Sequence, residues 1–244
     1  MHRSIHTSIL KDKEKGKKQF AVLVDPDKFK PSETIALCES EGVDILLVGG
    51  SILTNGDFEQ CIQTIKKLTK IPVVIFPGNN LQISKNADGI LLLSLISGRN
   101  PELLIGRHVI AAPILKSSYL EILPTGYILI EGGKQTAASY MSNTLPIPPD
   151  KDDIAACTAL AGEMLGLKLI YLDAGSGALN SVSESMIKKV RENITVPLIV
   201  GGGINSAKKA TSACKAGADI IVVGNAIEKN ASIIQSVSKA IHSF

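Results

Sequence analysis

Short apolar segments rich in β-branched residues alternate with longer amphipathic segments along the whole chain. The short segments show no regular alternation of polar and apolar residues, which indicates strands buried on both faces, as in a parallel sheet. Eight strands are predicted, over Phe20–Asp25, Asp44–Val48, Val73–Phe76, Gly89–Leu92, Tyr127–Ile130, Leu169–Asp173, Leu198–Val200 and Ile220–Val223.

Seven helices are predicted around these strands, over Ser32–Glu41, Asp57–Thr69, Pro101–Ile110, Asp152–Leu165, Ser183–Asn193, Ser206–Ala216 and Ile227–Ile241. Glycine follows three of them, at Gly42, Gly166 and Gly217, as is typical of helix C-termini. The third strand is followed by a segment of weak helical periodicity, Asn79–Ala87, where we expect a loop or a short helix.

This order of elements predicts the fold class α/β, with a single domain over residues 1–244. The domain is expected to be a (β/α)8 TIM barrel in which one helix is replaced by a loop or short segment. A length of 244 residues suits one barrel domain. A doubly wound open sheet is the alternative, and the positions of the glycines after the strands favour the barrel over it.

The composition excludes several classes of protein. Apolar residues make up 45% and charged residues 20%, as in globular proteins rather than disordered or fibrous ones. Lys and Arg number 26 against 23 Asp and Glu, a net charge of +3, and there is no Trp, so no nucleic-acid partner is expected. The sequence has neither a membrane-length apolar segment nor the apolar core of a signal peptide, so we expect a cytoplasmic protein.

The cysteines and histidines show no spacing typical of a metal site. The cysteines lie far apart in predicted helices, at Cys38, Cys61, Cys157 and Cys214, and we expect buried or half-buried thiols in a reducing compartment. The lysine-rich segment Lys11–Lys18 is expected to be a solvated surface, and peripheral contact with anionic membrane lipids is the alternative.

Glycine-rich turns follow the last three predicted strands, at Gly175-Ser176-Gly177, Gly202-Gly203 and Gly224-Asn225. In TIM barrels the active site lies at the carboxyl ends of the strands, and the loops after strands seven and eight frequently bind phosphate. Glycine lets backbone N–H groups approach an anion closely, and a following helix N-terminus also attracts it. The turns therefore predict a phosphate site, and tight turns without a ligand are the alternative.

Acidic residues follow the first and sixth predicted strands. Asp25-Pro26-Asp27-Lys28 carries two carboxylates and an ammonium group, which can hold Mg²⁺ together with a polyanion; a solvated turn is the alternative. Asp173 ends the sixth strand and is expected to face the pocket; a turn or helix-capping carboxylate is the alternative.

Taken together and in this order, the motifs resemble the geranylgeranylglyceryl phosphate synthase family, which includes the bacterial PcrB-type proteins. The resemblance extends from Phe20 to Lys229. It depends on the motifs Leu23–Lys28, Val48–Ser51, Phe76–Asn79, Ala87–Gly89, Arg99–Pro101, Tyr171–Gly177, Val200–Ile204 and Val223–Asn225.

The resemblance implies a prenyltransferase of ether-lipid synthesis on a barrel that lacks one helix. Its substrates would be sn-glycerol 1-phosphate and a polyprenyl diphosphate, such as geranylgeranyl diphosphate, with Mg²⁺ as cofactor. Asp25 and Ser51 would hold the metal, and the protein would be a homo-oligomer, either a dimer or a hexamer. Glycerol phosphate would be bound by Tyr171, Leu172, Asp173, Ala174, Gly175, Ser176, Gly177, Gly202, Gly203, Gly224 and Asn225.

The implied reaction gives two charged residues a role. Lys28 and Mg²⁺ would neutralise the leaving diphosphate, and Asp173 would accept the proton of the C3 hydroxyl of glycerol phosphate. The chain departs from the family's archaeal pattern twice, with Asp173 in place of Glu and with Glu102-Leu103-Leu104 where a Trp commonly follows Asn-Pro. Leu91–Ile96 and Val73–Ile75 are candidates for the lining of the apolar groove that the prenyl chain needs.

Two alternative functions fit the residues less completely. Another phosphate-binding barrel enzyme of small-molecule biosynthesis, such as one of the thiamine phosphate, tryptophan or histidine pathways, would share the glycine turns but need no apolar groove. A non-catalytic phosphate- or lipid-binding protein would retain the binding site without the chemistry.

Overall fold

A computed structural model describes residues 4–28 and 31–244 of the chain. Its eight strands form a closed barrel in chain order, and every neighbouring pair is parallel. The strands are β1 (Gln19–Val24), β2 (Ile45–Val48), β3 (Val73–Ile75), β4 (Gly89–Leu95), β5 (Glu121–Leu129), β6 (Leu169–Asp173), β7 (Leu198–Gly201) and β8 (Ile220–Val223). The predicted barrel is confirmed, and the open sheet is excluded.

Both faces of each strand are apolar because the sheet separates two hydrophobic layers. In β1, Ala21 lies in the cluster inside the barrel, whereas Phe20 and Val22 lie in the cluster between the sheet and the helices. Successive side chains of a strand point to opposite faces, so a strand between two apolar layers needs no polar positions. This is the physical reason for the continuous apolar segments in the sequence.

Helices surround the barrel and also precede it. They are α1 (Ile5–Glu14), α2 (Pro31–Ser40), α3 (Phe58–Leu68), α4 (Arg107–Lys116), α5 (Ala137–Ser142), α6 (Asp152–Met164), α7 (Glu184–Asn193), α8 (Ala207–Ala216), α9 (Asn225–Lys229) and α10 (Ile233–Ile241). A π-helical turn, Glu102–Gly106, leads into α4. The helix predicted over Ile227–Ile241 is divided in two, because the Asn230 side chain accepts a hydrogen bond from the Ser232 backbone N–H and turns the chain.

The connection between β3 and β4 contains no helix, as the weak periodicity of Asn79–Ala87 predicted. The buried side chain of Gln82 holds this segment in place. It accepts a hydrogen bond from the Gly78 N–H and donates one to the Gly50 carbonyl oxygen, at 3.1 and 2.8 Å. Gln82 therefore fixes the turns after β2 and β3 at the carboxyl end of the barrel.

Helix α1 was not predicted, because its two buried residues stand among many lysines. Ile5 and Ile9 pack into the apolar cluster inside the barrel and close its amino-terminal end. The carboxylate of Glu121, at the start of β5, accepts hydrogen bonds from the backbone N–H groups of Ile5 and His6. The segment predicted as a solvated surface, Lys11–Lys18, covers the last turn of this helix and the mostly exposed residues after it, and its contact with lipid stays a prediction.

The cysteines largely meet the expectation of buried thiols. Cys38, Cys61 and Cys214 are buried, Cys157 is exposed, and all four are free. Burial raises the pKa of the three buried thiols to about 12, so they stay protonated. Within residues 4–28 and 31–244, no helix combines the length and apolarity needed to cross a bilayer.

Candidate active site

A cavity of about 920 Å³ opens at the carboxyl end of the barrel. On one side it is lined by the turns that follow the strands, and these are rich in glycine and polar residues. On the other side it is lined by apolar side chains of β4, of α4 and of the π-helical turn before α4. One continuous cavity thus combines a polar part and an apolar branch.

The polar part contains the three predicted glycine turns, which come together as expected. Gly175, Ser176, Gly177, Gly202, Gly203, Gly224 and Asn225 all line the cavity. The Ser176 hydroxyl donates a hydrogen bond of 2.5 Å to Asn225 Oδ1, which links the turn after β6 to the turn after β8. We call this group of turns the glycine cup.

Gly202 packs so closely that no other residue fits. Its φ angle is +79°, in the left-handed region that favours glycine. A Cβ atom at this position would lie 2.6 Å from the Gly175 backbone nitrogen and 2.7 Å from Asp173 Oδ1. Glycine is therefore required here both by the backbone angle and by the contact between the turns after β6 and β7.

Asp173 is buried at the end of β6 and lines the cavity. Its Oδ2 accepts a hydrogen bond of 2.6 Å from the Tyr127 hydroxyl, and its Oδ1 accepts one of 2.7 Å from the Gly175 N–H. Burial raises the pKa of the Asp173 carboxyl above its ordinary value, and these two hydrogen bonds oppose the rise. The result is a fixed carboxylate that is more basic than an exposed one.

Three aromatic rings meet beside Asp173. Tyr171 stacks on Phe76 with a centroid distance of 5.5 Å, and Tyr127 meets both rings edge to face at 5.4 and 5.8 Å. All three residues line the cavity, at the border between the glycine cup and the apolar branch. Such edge-to-face contacts are favourable between aromatic rings and fix their positions.

Two of the residues predicted to bind substrate do not face the cavity. Leu172 is fully buried and Ala174 is 3% exposed, and both belong to the cluster between the sheet and the helices. Because side chains alternate along β6, Tyr171 and Asp173 point into the barrel and their neighbours point outward. The side chains of Leu172 and Ala174 therefore do not support the predicted role of these residues in substrate binding.

Asp25 and Lys28 lie together at the mouth of the cavity. Lys28 Nζ forms an ion pair of 2.9 Å with Asp25 Oδ2 and a second one of 3.3 Å with Glu228 Oε2. The hydrogen bond with Asp25 is the main reason that the pKa of Lys28 is raised. Two carboxylates thus share one ammonium group at this point.

Asp27, which the sequence grouped with Asp25, has a different environment. Its carboxylate accepts hydrogen bonds from the backbone N–H groups of Thr54, Asn55 and Gly56, at 2.8, 3.1 and 2.5 Å. These hydrogen bonds lower the pKa of Asp27 to about 2. Asp27 therefore joins the loops after β1 and β2, and a cation site on this segment stays a prediction that depends on Asp25.

A magnesium site would have few protein ligands. Asp25 and Ser51 both line the cavity. Gly50, which precedes Ser51, lies close to Asp25, because a Cβ atom at Gly50 would be 3.5 Å from Asp25 Oδ1. Among the described residues, no group of three or more His, Cys, Asp or Glu side chains could hold a metal ion. One carboxylate and one hydroxyl nevertheless fit Mg²⁺, which binds one or two carboxylates and completes its shell with water and substrate phosphates.

The apolar branch matches one of the two predicted segments. Leu91, Leu92, Leu93 and Leu95 of β4 line it, together with Leu103, Ala111 and Leu115. The prediction that Val73–Ile75 lines the groove was wrong, because these residues are completely buried and do not line the cavity. Ile83, from the connection that lacks a helix, also reaches the cavity.

The model of the PcrB family matches residues 11–241. The chain belongs to the PcrB family. It is 55% identical over 245 residues to geranylgeranylglyceryl phosphate synthase from Chitinophaga pinensis, over 99% of this chain and 97% of that protein. It is 41% identical over 230 residues to the enzyme of the same name from Pyrococcus abyssi, over 93% of this chain and 90% of that protein.

Solved structures resemble this PcrB-family protein along its whole length. The crystal structure of (S)-3-O-geranylgeranylglyceryl phosphate synthase from Thermoplasma acidophilum, in complex with sn-glycerol-1-phosphate, has a TM-score of 0.92 and 31% identity, over 99% of this chain and 100% of that chain. A thiamine phosphate pyrophosphorylase from Pyrococcus furiosus has a TM-score of 0.60 at 16% identity and shares the fold alone.

Sequence reasoning missed three polar residues of the site in this PcrB-family protein. Tyr127 was placed in a strand without a role, although its register opposite Tyr171 turns it into the barrel. Lys134 follows the glycine pair after β5, and its Nζ lies 3.6 Å from where a Cβ atom of Gly177 would be. Glu228 reaches Lys28 from α9. The Gly-Gly-Lys sequence after a predicted strand is the one signal that could have revealed a member of this set.

Gly202→Ala is expected to weaken the binding of glycerol phosphate by about tenfold or more, because the added methyl group separates the turns after β6 and β7. Isothermal titration calorimetry measures the affinity. Gly166→Ala is the matched control, since Gly166 also has a positive φ of +87° but no atom within 4 Å of its Cβ position. Both variants carry similar backbone strain of about 1 kcal/mol. Equal affinities in the two variants would contradict the role of the close contact.

Proposed function

We propose that this protein is a prenyltransferase of ether-lipid synthesis. It joins a polyprenyl diphosphate, most simply geranylgeranyl diphosphate, to the C3 hydroxyl of sn-glycerol 1-phosphate and releases diphosphate. The observation that carries this proposal is one cavity in which a glycine cup and an apolar branch meet at a buried carboxylate. The similarity along the full chain to geranylgeranylglyceryl phosphate synthases supports it.

The glycine cup binds the phosphate of glycerol phosphate. Positive φ angles at Gly175, Gly177, Gly202 and Gly203 bring backbone into the cavity without intervening side chains. Backbone N–H groups in such turns attract anions, and the ammonium group of Lys134 near Gly177 adds a positive charge. Neutral glycerol hydroxyls then lie toward Asp173, whose fixed carboxylate is the final proton acceptor of the reaction.

The allylic diphosphate lies with its tail in the apolar branch and its first carbon beside the rings of Phe76, Tyr127 and Tyr171. Positive charge develops on that carbon as the bond to diphosphate breaks. Aromatic faces stabilise such charge, especially where water is excluded. Leu103 lines the branch, close to the position where the family's archaeal pattern commonly has Trp. Because a leucine side chain is smaller than a tryptophan side chain, the residue at this point affects the space left for the tail.

Asp25 and Ser51 would hold Mg²⁺ at the mouth of the cavity. When bound, Mg²⁺ neutralises the charge of the leaving diphosphate. Asp25 and Glu228 together carry one more negative charge than Lys28 compensates, which favours a cation at this point. Lys28 is half-exposed and lies within reach of a diphosphate, which it binds through its ammonium group.

The alternative functions have less support from the cavity. An enzyme that acts on a small phosphorylated metabolite would use the glycine cup, but it would have no need for a branch lined by four leucines of β4. A binding protein without catalysis would not need the carboxylate that two hydrogen bonds hold at the border between the polar and apolar parts.

A homo-oligomer is part of the proposal, with α4 as the contact between copies. Ile105, Val109, Ile110 and Ile114 are 60, 65, 63 and 49% exposed, although the other side of the same segment lines the cavity. An exposed apolar patch of this kind normally marks a contact with another protein or a membrane. In a twofold contact these side chains meet their own copies in the partner.

The test of the function is product formation from defined substrates. The protein is incubated with Mg²⁺, geranylgeranyl diphosphate and either sn-glycerol 1-phosphate or its enantiomer, and the prenyl ether is measured by mass spectrometry. We expect product from sn-glycerol 1-phosphate only, because the cup and the carboxylate fix one arrangement of phosphate and hydroxyl. Absence of ether with both enantiomers would refute the proposed function.

Asp25→Asn is expected to lower product formation about 10²-fold at saturating substrates, because a neutral amide binds Mg²⁺ poorly. The affinity for glycerol phosphate should stay nearly unchanged, since the glycine cup lies on other strands. Asp150→Asn removes an exposed carboxylate outside the cavity and is the control. Full activity of Asp25→Asn with excess chelator would exclude the metal assignment.

Ile110→Asp is expected to convert the oligomer to monomers, because it places a charge in the centre of the apolar face of α4. Size-exclusion chromatography with light scattering gives the mass. Leu165→Asp is the control, since Leu165 is also exposed, at 79% against 63% for Ile110, but lies directly after α6. A monomeric wild type, or an unchanged mass of Ile110→Asp, would refute the contact.

A further inference from the structure

The hydroxyl of Tyr127 is bound to the carboxylate that the reaction needs. Tyr127 and Asp173 both line the cavity, and the hydroxyl donates a hydrogen bond of 2.6 Å to Asp173 Oδ2. The second oxygen, Oδ1, accepts the Gly175 N–H at 2.7 Å. Each carboxylate oxygen of Asp173 therefore already accepts a hydrogen bond from another group of the protein.

This arrangement restricts direct access of a substrate hydroxyl to Asp173. The residue is 6% exposed, and each of its two oxygens accepts a hydrogen bond from a fixed donor. The phenol oxygen of Tyr127 is different, because a hydroxyl has one proton to donate and two lone pairs with which to accept. Its proton is committed to Asp173, and its lone pairs remain for an incoming hydroxyl.

We propose that Tyr127 relays the proton of the attacking hydroxyl to Asp173. The inference rests on the proposed function and concerns the same site. As the C3 oxygen of glycerol phosphate forms its bond to the first prenyl carbon, the bond from that carbon to diphosphate breaks and its electron pair leaves with diphosphate. The C3 hydroxyl proton passes to Tyr127 Oη, and the original Tyr127 proton passes to Asp173 Oδ2.

After the relay, both Tyr127 and Asp173 are neutral. Tyr127 is a phenol before and after the step, and Asp173 changes from carboxylate to carboxylic acid. Burial and the neighbouring charge of Asp173 hold the pKa of Tyr127 well above its ordinary value, so the phenol enters the step protonated. Burial also raises the pKa of Asp173, which makes its carboxylate a better final acceptor.

Tyr127→Phe tests the relay, because it removes only the hydroxyl and keeps the ring contacts with Phe76 and Tyr171. We expect kcat to fall about 10²-fold, while the affinity for glycerol phosphate, measured by calorimetry, changes little. Tyr140→Phe removes an exposed hydroxyl outside the cavity and should leave kcat unchanged. A kcat of Tyr127→Phe close to that of the wild type would overturn the relay.

Rescue by a longer carboxylate separates a relay from a structural role. Asp173→Glu adds one methylene group, which lets the carboxylate reach the substrate hydroxyl without the phenol. In that background Tyr127→Phe should cost about tenfold or less, because the two changes are coupled. An equal loss in both backgrounds would show that the hydroxyl acts only on the structure and would overturn the relay.

The relay can also be tested on the wild-type protein, without relying on the folding of a variant. Single-turnover rates in mixtures of H₂O and D₂O should depend on the deuterium fraction along a curve, since two protons move in one step, whereas a straight line would overturn the relay. The same wild-type sample distinguishes this inference from the proposed function. If it forms no prenyl ether, both fail; if it forms the ether with a linear dependence, the function stands and only the relay fails.

Discussion

The close approach of the turns after β6 and β7 is the constraint on which the site depends. Gly202 leaves the space that the Gly175 backbone and the Asp173 carboxylate occupy. Beside this contact, the Gly175 N–H donates a hydrogen bond to Asp173 Oδ1, and the Tyr127 hydroxyl donates one to Asp173 Oδ2. The geometry of the glycine cup and the position of the Asp173 carboxylate are therefore both set by one contact between backbone segments.

Hydrogen bonds between loops give the opposite wall of the cavity a comparable rigidity. Asp27 binds three successive N–H groups of the loop after β2, and Gln82 joins that loop to the turn after β3. These contacts leave Asp25 with Lys28 as its charged partner at the mouth. Rigid supporting loops would suit the proposed metal site with its few protein ligands, because substrate phosphates would supply the remaining oxygens.

The sequence predicted the barrel because each strand is a short apolar segment followed by a turn of distinctive composition. The glycine turns and Asp173 were found for the same reason, since they stand next to those segments. Other features depend on pairings between distant parts of the chain. The hydrogen bond between Tyr127 and Asp173 follows from the register of β5 on β6, and helix α1 is recognisable only once Ile5 and Ile9 meet the interior of the barrel.

The missing helix after β3 leaves a gap in the outer ring that most barrels of this type fill. The segment that replaces it contributes Ile83 to the apolar branch, and α4 contributes the opposite wall. The apolar branch and the glycine cup are thus formed by different parts of the chain. Changes in the gap can therefore alter the shape of the apolar branch without disturbing the glycine turns, so the two parts of the cavity can vary independently.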